Sequence, residues 1–481
     1  MGARQLLRLG DDDLPPKVGD VTSAAVRGIR TLQWRDRQVV KTAGANVTAV
    51  ALGYVIRLAV IPLSLKLLGS DLYGLWLAVG SLIAWGGVAD LGLTPGLVNL
   101  VASACGQKDR TTARRHISTA LWAYTILASL LLVAFLAASR WQQLPKILGI
   151  TCPSMGKQAG VLVAVCGAIF ALNSLTRLVP TVCTALQEGY YAPWSYIGGS
   201  LVSLAVLVLF WRSGVSLLTY ALIVGIPPLA AQIGLGVYFF GRRHPDLCPR
   251  LEEWDRASLR DLWGLGGWLT LHQAANLAVL YSANLIIANR LGPTAVTQYS
   301  VPYAVFNVLI SVAYYIVSPY LPAYAEASAR GDLVWIRRRA SQTLSLTAIL
   351  VGGGSVVLLI AGQQGIRLWS GGQVDPSLEL LGALACFSFL KACSNATGVL
   401  LVGLGRVRFA ACVYTLVTIM YLTVAWFSMH WLGLLAIPVA GALAHACDVA
   451  VSFPFAIKYM QEQQLVSSGT ASLNHHLQEK Y

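Results

Sequence analysis

Residues 43–93 read AGANVTAVALGYVIRLAVIPLSLKLLGSDLYGLWLAVGSLIAWGGVADLGL, and only Arg57, Lys66, Asp71 and Asp90 in this stretch are acidic or basic. Two apolar runs, 43–62 and 74–93, flank the turn-forming Leu68-Gly69-Ser70-Asp71. Some twenty residues rising about 1.5 Å each as an α-helix cover about 30 Å, the hydrocarbon thickness of a bilayer. Neither run alternates polar with apolar side chains, so a transmembrane β-barrel is excluded. Outward from this pair, ten further runs of the same kind lie near 117–138, 159–180, 193–211, 217–240, 265–288, 296–318, 341–361, 378–402, 409–429 and 432–457. The expected fold is an all-α polytopic membrane protein of about 12 transmembrane helices, arranged as two parallel six-helix bundles around a central cavity.

Composition agrees. Of 481 residues 56% are hydrophobic and 12% charged, with a mean hydropathy of +0.63. A soluble domain carries about 25% charged residues. Soluble enzymes, disordered scaffolds and nucleic-acid binders are excluded on that ground. The net charge of +14 is explained by its placement. When alternate loops are assigned to two sides, 25 Lys and Arg fall on one side, including Lys108, Arg110, Arg114, Arg115, Arg242, Arg243, Arg250, Arg256, Arg260, Arg330, Arg337–Arg339, Arg406, Arg408 and Lys458. Seven fall on the other: Lys66, Arg140, Lys146, Lys157, Arg212, Arg290 and Arg367. By the positive-inside rule both termini are expected in the cytoplasm of a multi-pass protein of the bacterial inner membrane. The expected layout is a polar tail over 1–38, a first bundle over 39–241, a linker over 242–262, a second bundle over 263–457 and a second tail over 458–481. Asp11–Asp13 and the lack of a long apolar core mark 1–38 as a tail rather than a signal peptide.

The two halves repeat. Leu68-Gly69 returns as Leu291-Gly292, 223 residues on, and the basic loop ending at Arg115 returns as the one ending at Arg339. Gln187-Glu188-Gly189 pairs with Gly403-Leu404-Gly405. Six spans per half bring both halves in from the same side, as in transporters built from parallel repeats.

Ionisable groups inside a span cost roughly 2.5–3.5 kcal/mol each on insertion scales and so point to function. Three cations qualify: Arg57, Arg177 and Lys391. Arg177 and Lys391 stand at nearly the same place in the repeat, each with an amide four residues away, Asn173 and Asn395, on the same helical face. Asn46 continues the face of Arg57. These six residues are the candidate substrate-binding groups for an anionic head group such as a diphosphate. His445 and Asp448, three apart on the last span, together with Asp90 and His272, are the candidates for ion coupling. Asn276 and Asn284 extend the His272 stripe. Trp194, Tyr281, Tyr303, Tyr314 and Tyr315 are candidates for stacking on sugar rings or for an interfacial belt.

Pro62, Pro180, Pro227-Pro228, Pro302, Pro319, Pro322 and Pro438, with Gly352–Gly354 expected to interrupt the ninth span, supply bends. No catalytic or metal site is indicated: there is no Walker, Gly-x-Ser-x-Gly or His-Glu-x-x-His pattern, and the nine cysteines form no Cys-x-x-Cys pair. Asn46-Val-Thr48 starts a span and is expected to be an empty glycosylation sequon, and His475-His476 lies in the expected tail.

Asn46, Ile61-Pro62, Leu68-Gly69-Ser-Asp-Leu-Tyr73-Gly74-Leu-Trp76, Asp90-Leu-Gly-Leu93 and Gly106-Gln-Lys-Asp109 together resemble the opening of bacterial polysaccharide flippases. These are the O-antigen and exopolysaccharide exporters of the multidrug/oligosaccharidyl-lipid/polysaccharide superfamily. The likeness is sharpest over 42–125 and continues to about 460. It implies movement of undecaprenyl-diphosphate-linked oligosaccharide from the cytoplasmic to the periplasmic leaflet by alternating access, for polysaccharide biosynthesis. It further implies a proton or sodium gradient as driving force, no cofactor, and a lipid-linked oligosaccharide, the phospholipid bilayer, a polysaccharide polymerase and a chain-length regulator as partners. The competing expectations are a cation-coupled multidrug exporter of the same superfamily and a multispan glycosyltransferase or O-antigen ligase. A drug cation calls for acidic groups in the cleft, and the ligase for catalytic groups in a large outer loop. Residues 139–158, the longest outer loop, contain no Asp, Glu or His.

Overall fold

A computed structural model describes residues 16–90, 92–250, 252–255, 258–259 and 267–478, with side chains over 48–463 apart from 91, 251, 256–257, 260–267 and 269. Asp11–Asp13, Arg256 and Arg260, and the side chains of Asn46 and His475-His476, fall outside it. Among the described residues, ten helical stretches are long and apolar enough to cross a bilayer. Two of them each hold two crossings. Thr48–Asp90 reverses at Gly69, whose backbone (φ 75, ψ 170) has left the helix, and Val407–Gln463 is divided at Gly433. Twelve crossings result, with no strand among the described residues.

In chain order the helices are α1 (Pro16–Ala84), α2 (Leu93–Gly106), α3 (Arg110–Ser139), α4 (Leu144–Ile147), α5 (Pro153–Thr176), α6 (Leu178–Ala185), α7 (Tyr191–Leu209), α8 (Leu217–Tyr238), α9 (Gly267–Leu291), α10 (Pro293–Val317), α11 (Tyr320–Ala329), α12 (Leu333–Trp369), α13 (Leu378–Gly403), α14 (Val407–Leu432) and α15 (Ala436–Gln478). The helices overrun the apolar runs. α1 begins within the expected amino tail, and α15 continues through the expected carboxyl tail. The second span does not stop at Leu93: it loosens into a 3₁₀ turn over Trp85–Asp90, turns at left-handed Gly92 and continues as α2. The eighth span is built alike, broken between Val317 and Tyr320 at Pro319 and continued by α11. Gly352–Gly354 does not interrupt the ninth span; α12 runs through it, and Gly354 makes room for Leu309.

The repeat is written in the backbone. Left-handed residues recur as Gly69/Gly292, Lys108/Gly331, Gly149/Gly372, Gln187/Gly405 and Gly214/Gly433. The first three pairs are 223 residues apart and the last two 218 and 219. Asp109 and Asp332 occupy one of these turns in each half, their carboxylates accepting the amide hydrogens of Thr112 (2.9 Å) and Trp335 (3.1 Å). The sequence match of Gly189 with Gly405 is therefore displaced by two residues. The chain needs a left-handed residue at this turn, and Gln187 supplies it where the second half has glycine.

Packing separates the two ends of the molecule. At the Gly69/Gly292 end one apolar core takes side chains from both halves, such as Leu65, Leu75 and Val163 with Ile287, Val296 and Phe306. At the Lys108/Gly331 end there are two cores: Leu97, Ile117, Phe239 and Leu247 in the first half, and Tyr324, Ile336, Leu401 and Met460 in the second. The hydrogen bonds joining the halves gather toward the shared core. Thr294 donates to Asp71; Thr297 Oγ1 donates to the Ser70 carbonyl (2.6 Å), Gln373 Nε2 to that of Leu65 (2.9 Å) and Asn289 Nδ2 to that of Lys146 (2.9 Å). Deeper in the seam Asn284 Nδ2 donates to Ser81 Oγ (2.9 Å) and Tyr54 Oη to Ser311 Oγ (2.5 Å). The halves thus meet along α1, α9 and α10 and diverge beyond. The described part of the inter-bundle linker packs on the first half. Arg250 and Asp255 donate their amides to Ser118 and Thr119, and Glu253 pairs with Arg114 at 2.8 Å.

Candidate functional site

Three polar groupings lie in the spans, and they divide the sequence candidates among them. The densest is in the second half, where α9, α13, α14 and α15 converge. Lys391 and Ser394 on α13, and His445, Asp448 and Ser452 on α15, are all buried. Asp448 accepts hydrogen bonds from both hydroxyls, that of Ser394 on one oxygen and that of Ser452 (2.8 Å) on the other. His445 Nδ1 lies 3.2 Å from Ser394 Oγ. From α14 the Tyr414 ring stands 4.8 Å from the His272 ring of α9, and Tyr414 Oη donates to Asn276 (3.2 Å). The Lys391 ammonium rests over the Phe387 ring at 5.6 Å, and that ring in turn lies 5.8 Å from His445. Ion pairs among the described residues all lie elsewhere, so Lys391 has no carboxylate partner.

A second grouping follows the seam. Arg57 is exposed on α1 within electrostatic reach of Tyr73 in its own half and Tyr303 across the seam. Tyr303 is sandwiched between Tyr299 (5.6 Å) and Phe387 (6.0 Å). This aromatic stack connects the seam to the ring beneath Lys391. The third grouping lies in the first half. Arg177, at the junction of α5 and α6, stands with Asp90 around Tyr124, whose hydroxyl is 2.9 Å from Thr94 Oγ1. One oxygen of Asp90 is buried with no hydrogen-bond partner.

His272, His445, Asp448 and Lys391 are brought together, while Asp90 is in the other half and joins Arg177. The expected equivalence of Arg177 and Lys391 is corrected. The turns that end their spans, at Gln187 and Gly405, are 218 residues apart, and that offset sets Lys391 opposite Asn173 and Arg177 opposite Asn395. Cation and amide have exchanged places between the halves. Asn173 is occupied within its own helix, donating to the Ile169 carbonyl (2.9 Å), and Asn395 is half-buried. Among the aromatic candidates Tyr303 lines the seam, whereas Trp194, Tyr314 and Tyr315 are exposed. Sequence reading missed Ser394 and Ser452. Their signal was spacing alone, three residues after Lys391 and four after Asp448 on the same helical faces.

Solved structures share this architecture. An inward-facing multidrug resistance MATE family transporter of the MOP superfamily matches with a TM-score of 0.67 over 86% of this chain and 99% of its own, at 16% identity. The fold is that of the MOP transporters. A MOP transporter of Pyrococcus furiosus, described as having a binding pocket of reversed polarity, matches with a TM-score of 0.64 over 89% of this chain and 97% of its own, at 13% identity. In sequence the chain is similar to EpsK, an uncharacterised membrane protein of Bacillus subtilis strain 168, at 24% identity over 71% of this chain and 66% of that protein. It is also similar to a Shigella flexneri protein provisionally named an O-antigen transporter, at 20% identity over 85% of this chain and 96% of that protein. No family model matches. The similarity to the protein provisionally named an O-antigen transporter thus extends over most of the chain.

Proposed function

We propose that the protein moves an undecaprenyl-diphosphate-linked oligosaccharide from the cytoplasmic to the periplasmic leaflet, performing no covalent chemistry. The carrying observation is a pair of cations in the spans: Arg57 lies exposed on the seam, and Lys391 is buried with no ion pair among the described residues. A buried, unpaired cation favours an anionic ligand, an exposed arginine nearby adds to the attraction, and a diphosphate offers several acceptor oxygens. Many sugar hydroxyls require a polar path, since each costs several kcal/mol if left unbonded in hydrocarbon. We assign the Lys108/Gly331 end to the cytoplasm, because it carries most of the described exposed Arg and Lys. With the halves apart at that end, a glycolipid enters from the inner leaflet, its lipid tail staying in the bilayer.

The test is transport of a fluorescent lipid-diphosphate oligosaccharide in proteoliposomes holding the full chain, read as loss of inner-leaflet label. No movement above protein-free vesicles would reject the assignment. The second reading, a multidrug exporter, is favoured by the buried carboxylate of Asp448. Movement of a lipophilic organic cation but no glycolipid would establish it instead.

A further inference from the structure

α1 is far longer than the crossing it makes. Its first arm runs from Pro16 to the reversal at Gly69, and residues 48–68 alone span the hydrocarbon at about 1.5 Å each. Residues 16–47 therefore add about 48 Å of helix beyond that crossing. Gly69 stands at the shared-core end, so this arm leaves the bilayer at the Lys108/Gly331 end, where most of the described exposed Arg and Lys lie.

The sequence of the arm has a helical period. At about 100° per residue, Val18, Val21, Ala25, Ile29 and Leu32 share an arc of about 80°. Lys17 and Arg35 fall on one border of this stripe, and Arg30 and Arg37 on the other. Arg27 falls on the opposite arc. Asp36 lies on the line of the stripe and ends it, while Val26 and Trp34 lie outside it. Over residues 16–42 six basic residues stand against Asp20 and Asp36 alone.

We propose that residues 17–35 form a foot that binds the surface of an anionic leaflet, the stripe toward the acyl chains and the basic borders among the headgroups. Five modest apolar side chains hold a helix to a bilayer weakly, so the charges decide the binding. Lys and Arg on both borders have the length to lay their stems along the edges of the stripe and their charges beside headgroup phosphates. The first span tethers the arm, which makes binding intramolecular and keeps the headgroup concentration high. A second copy fits the stripe poorly, because pairing two arms would set like charges against each other along both borders. α1 runs through the arm unbroken, so lying flat requires a bend between Asp36 and the span. Gly44, without a Cβ, is the position there at which the helix is weakest. Because α1 also builds the seam, the foot sets the depth and tilt of a helix on which both halves meet. It serves whatever cargo the cleft carries.

The test puts a photo-crosslinking phenylalanine analogue in the full chain at Ile29, on the stripe, or at Ser23, on the opposite arc. Each protein is held one copy per nanodisc, in phosphatidylcholine alone or in equal parts with phosphatidylglycerol, and adducts are read by mass. Ile29 is expected to give lipid adducts in the anionic discs, and Ser23 several-fold fewer. The Ile29 adducts should fall several-fold in phosphatidylcholine alone and in 1 M salt, where the Debye length is about 3 Å. They should fall likewise when Lys17→Gln, Arg30→Gln, Arg35→Gln and Arg37→Gln are combined, changes that keep good helix formers in place. No lipid adduct from Ile29 in anionic discs, equal adducts from both positions, or adducts indifferent to headgroup charge and salt would overturn the foot. So would adducts to protein instead of lipid, which in a disc of one copy would put another part of the chain on the stripe.

Discussion

Lys391 is the residue where stability and function pull apart. The residue is only 6% exposed, its ammonium faces an aromatic ring, and it forms no ion pair among the described residues, a combination that costs free energy in the empty protein. Replacing it by Met should therefore raise the thermal unfolding midpoint in detergent while glycolipid transport falls. One charge-assisted hydrogen bond to a diphosphate is worth roughly 1.5–3 kcal/mol, so a drop of about tenfold or more is expected. Arg57→Gln should show the same loss without the gain in stability, because Arg57 is exposed. Lys66, held 3.4 Å over the Trp211 ring at the opposite end, is the control whose substitution leaves transport unchanged. Full transport in both Lys391→Met and Arg57→Gln would remove the anion-binding account.

At the scale of elements, the seam between the halves depends on glycine. A Cβ on Gly74 would stand 1.8 Å from the Pro293 carbonyl oxygen, and one on Gly149 1.7 Å from that of Ala288. Neither backbone oxygen yields as a side chain would. Gly74 is helical, so Gly74→Ala adds bulk without left-handed strain. It should hold the halves apart at the Gly69/Gly292 end, seen as faster alkylation of a cysteine placed at Thr297 and slower transport. Unchanged labelling would show that this contact does not govern closure. The linker obeys a simpler electrostatic rule. The Arg114 guanidinium hydrogen-bonded to Glu253 holds that carboxyl below its usual range. A carboxyl depressed in the folded state contributes stability above its unfolded value and loses it as pH falls through the folded one. Hydrogen exchange of residues 245–255 should thus quicken, after correction for intrinsic rates, below the ordinary carboxylate range; Glu253→Gln should abolish that pH step.

For the whole molecule the decisive contrast is one shared core at one end against two separate cores at the other. A cysteine pair at Asp71 and Thr294, whose side chains already hydrogen-bond, should crosslink under oxidation and halt transport until reduced. Transport at full rate through a crosslinked seam would show that the halves do not move apart there. With the Lys108/Gly331 end in the cytoplasm, as proposed, a single cysteine at Gly331 should react with a membrane-impermeant reagent only after the membrane is opened. One at Gly149 is a poor counterpart because of its packing, so Arg212, exposed at the other end, serves as the site expected to react in intact spheroplasts.

Apolar runs of about twenty residues left the chain no alternative to helices, since each buried backbone group must be bonded within its own span. Segment length, the charge asymmetry of the loops and the repeated Leu-Gly turns after spans 1 and 7 were therefore facts readable segment by segment. The breaks at Gly92 and Pro319 were less legible, because the helices resume and carry the spans past the apolar limit. Which polar groups meet was not a local property at all. His445 and Asp448 announced a shared face, but Ser394 joins them only because α13 packs on α15, and Asp90 is excluded only because it lies in the other half. Even the pairing of Arg177 with Lys391 failed, a few residues of offset being enough to exchange cation for amide. The sequence by itself determined how many times the chain crosses and which end is basic, because hydrophobicity acts on each segment separately. Tertiary structure decided where the halves share a core and which polar side chains meet, because those depend on the register between helices distant along the chain.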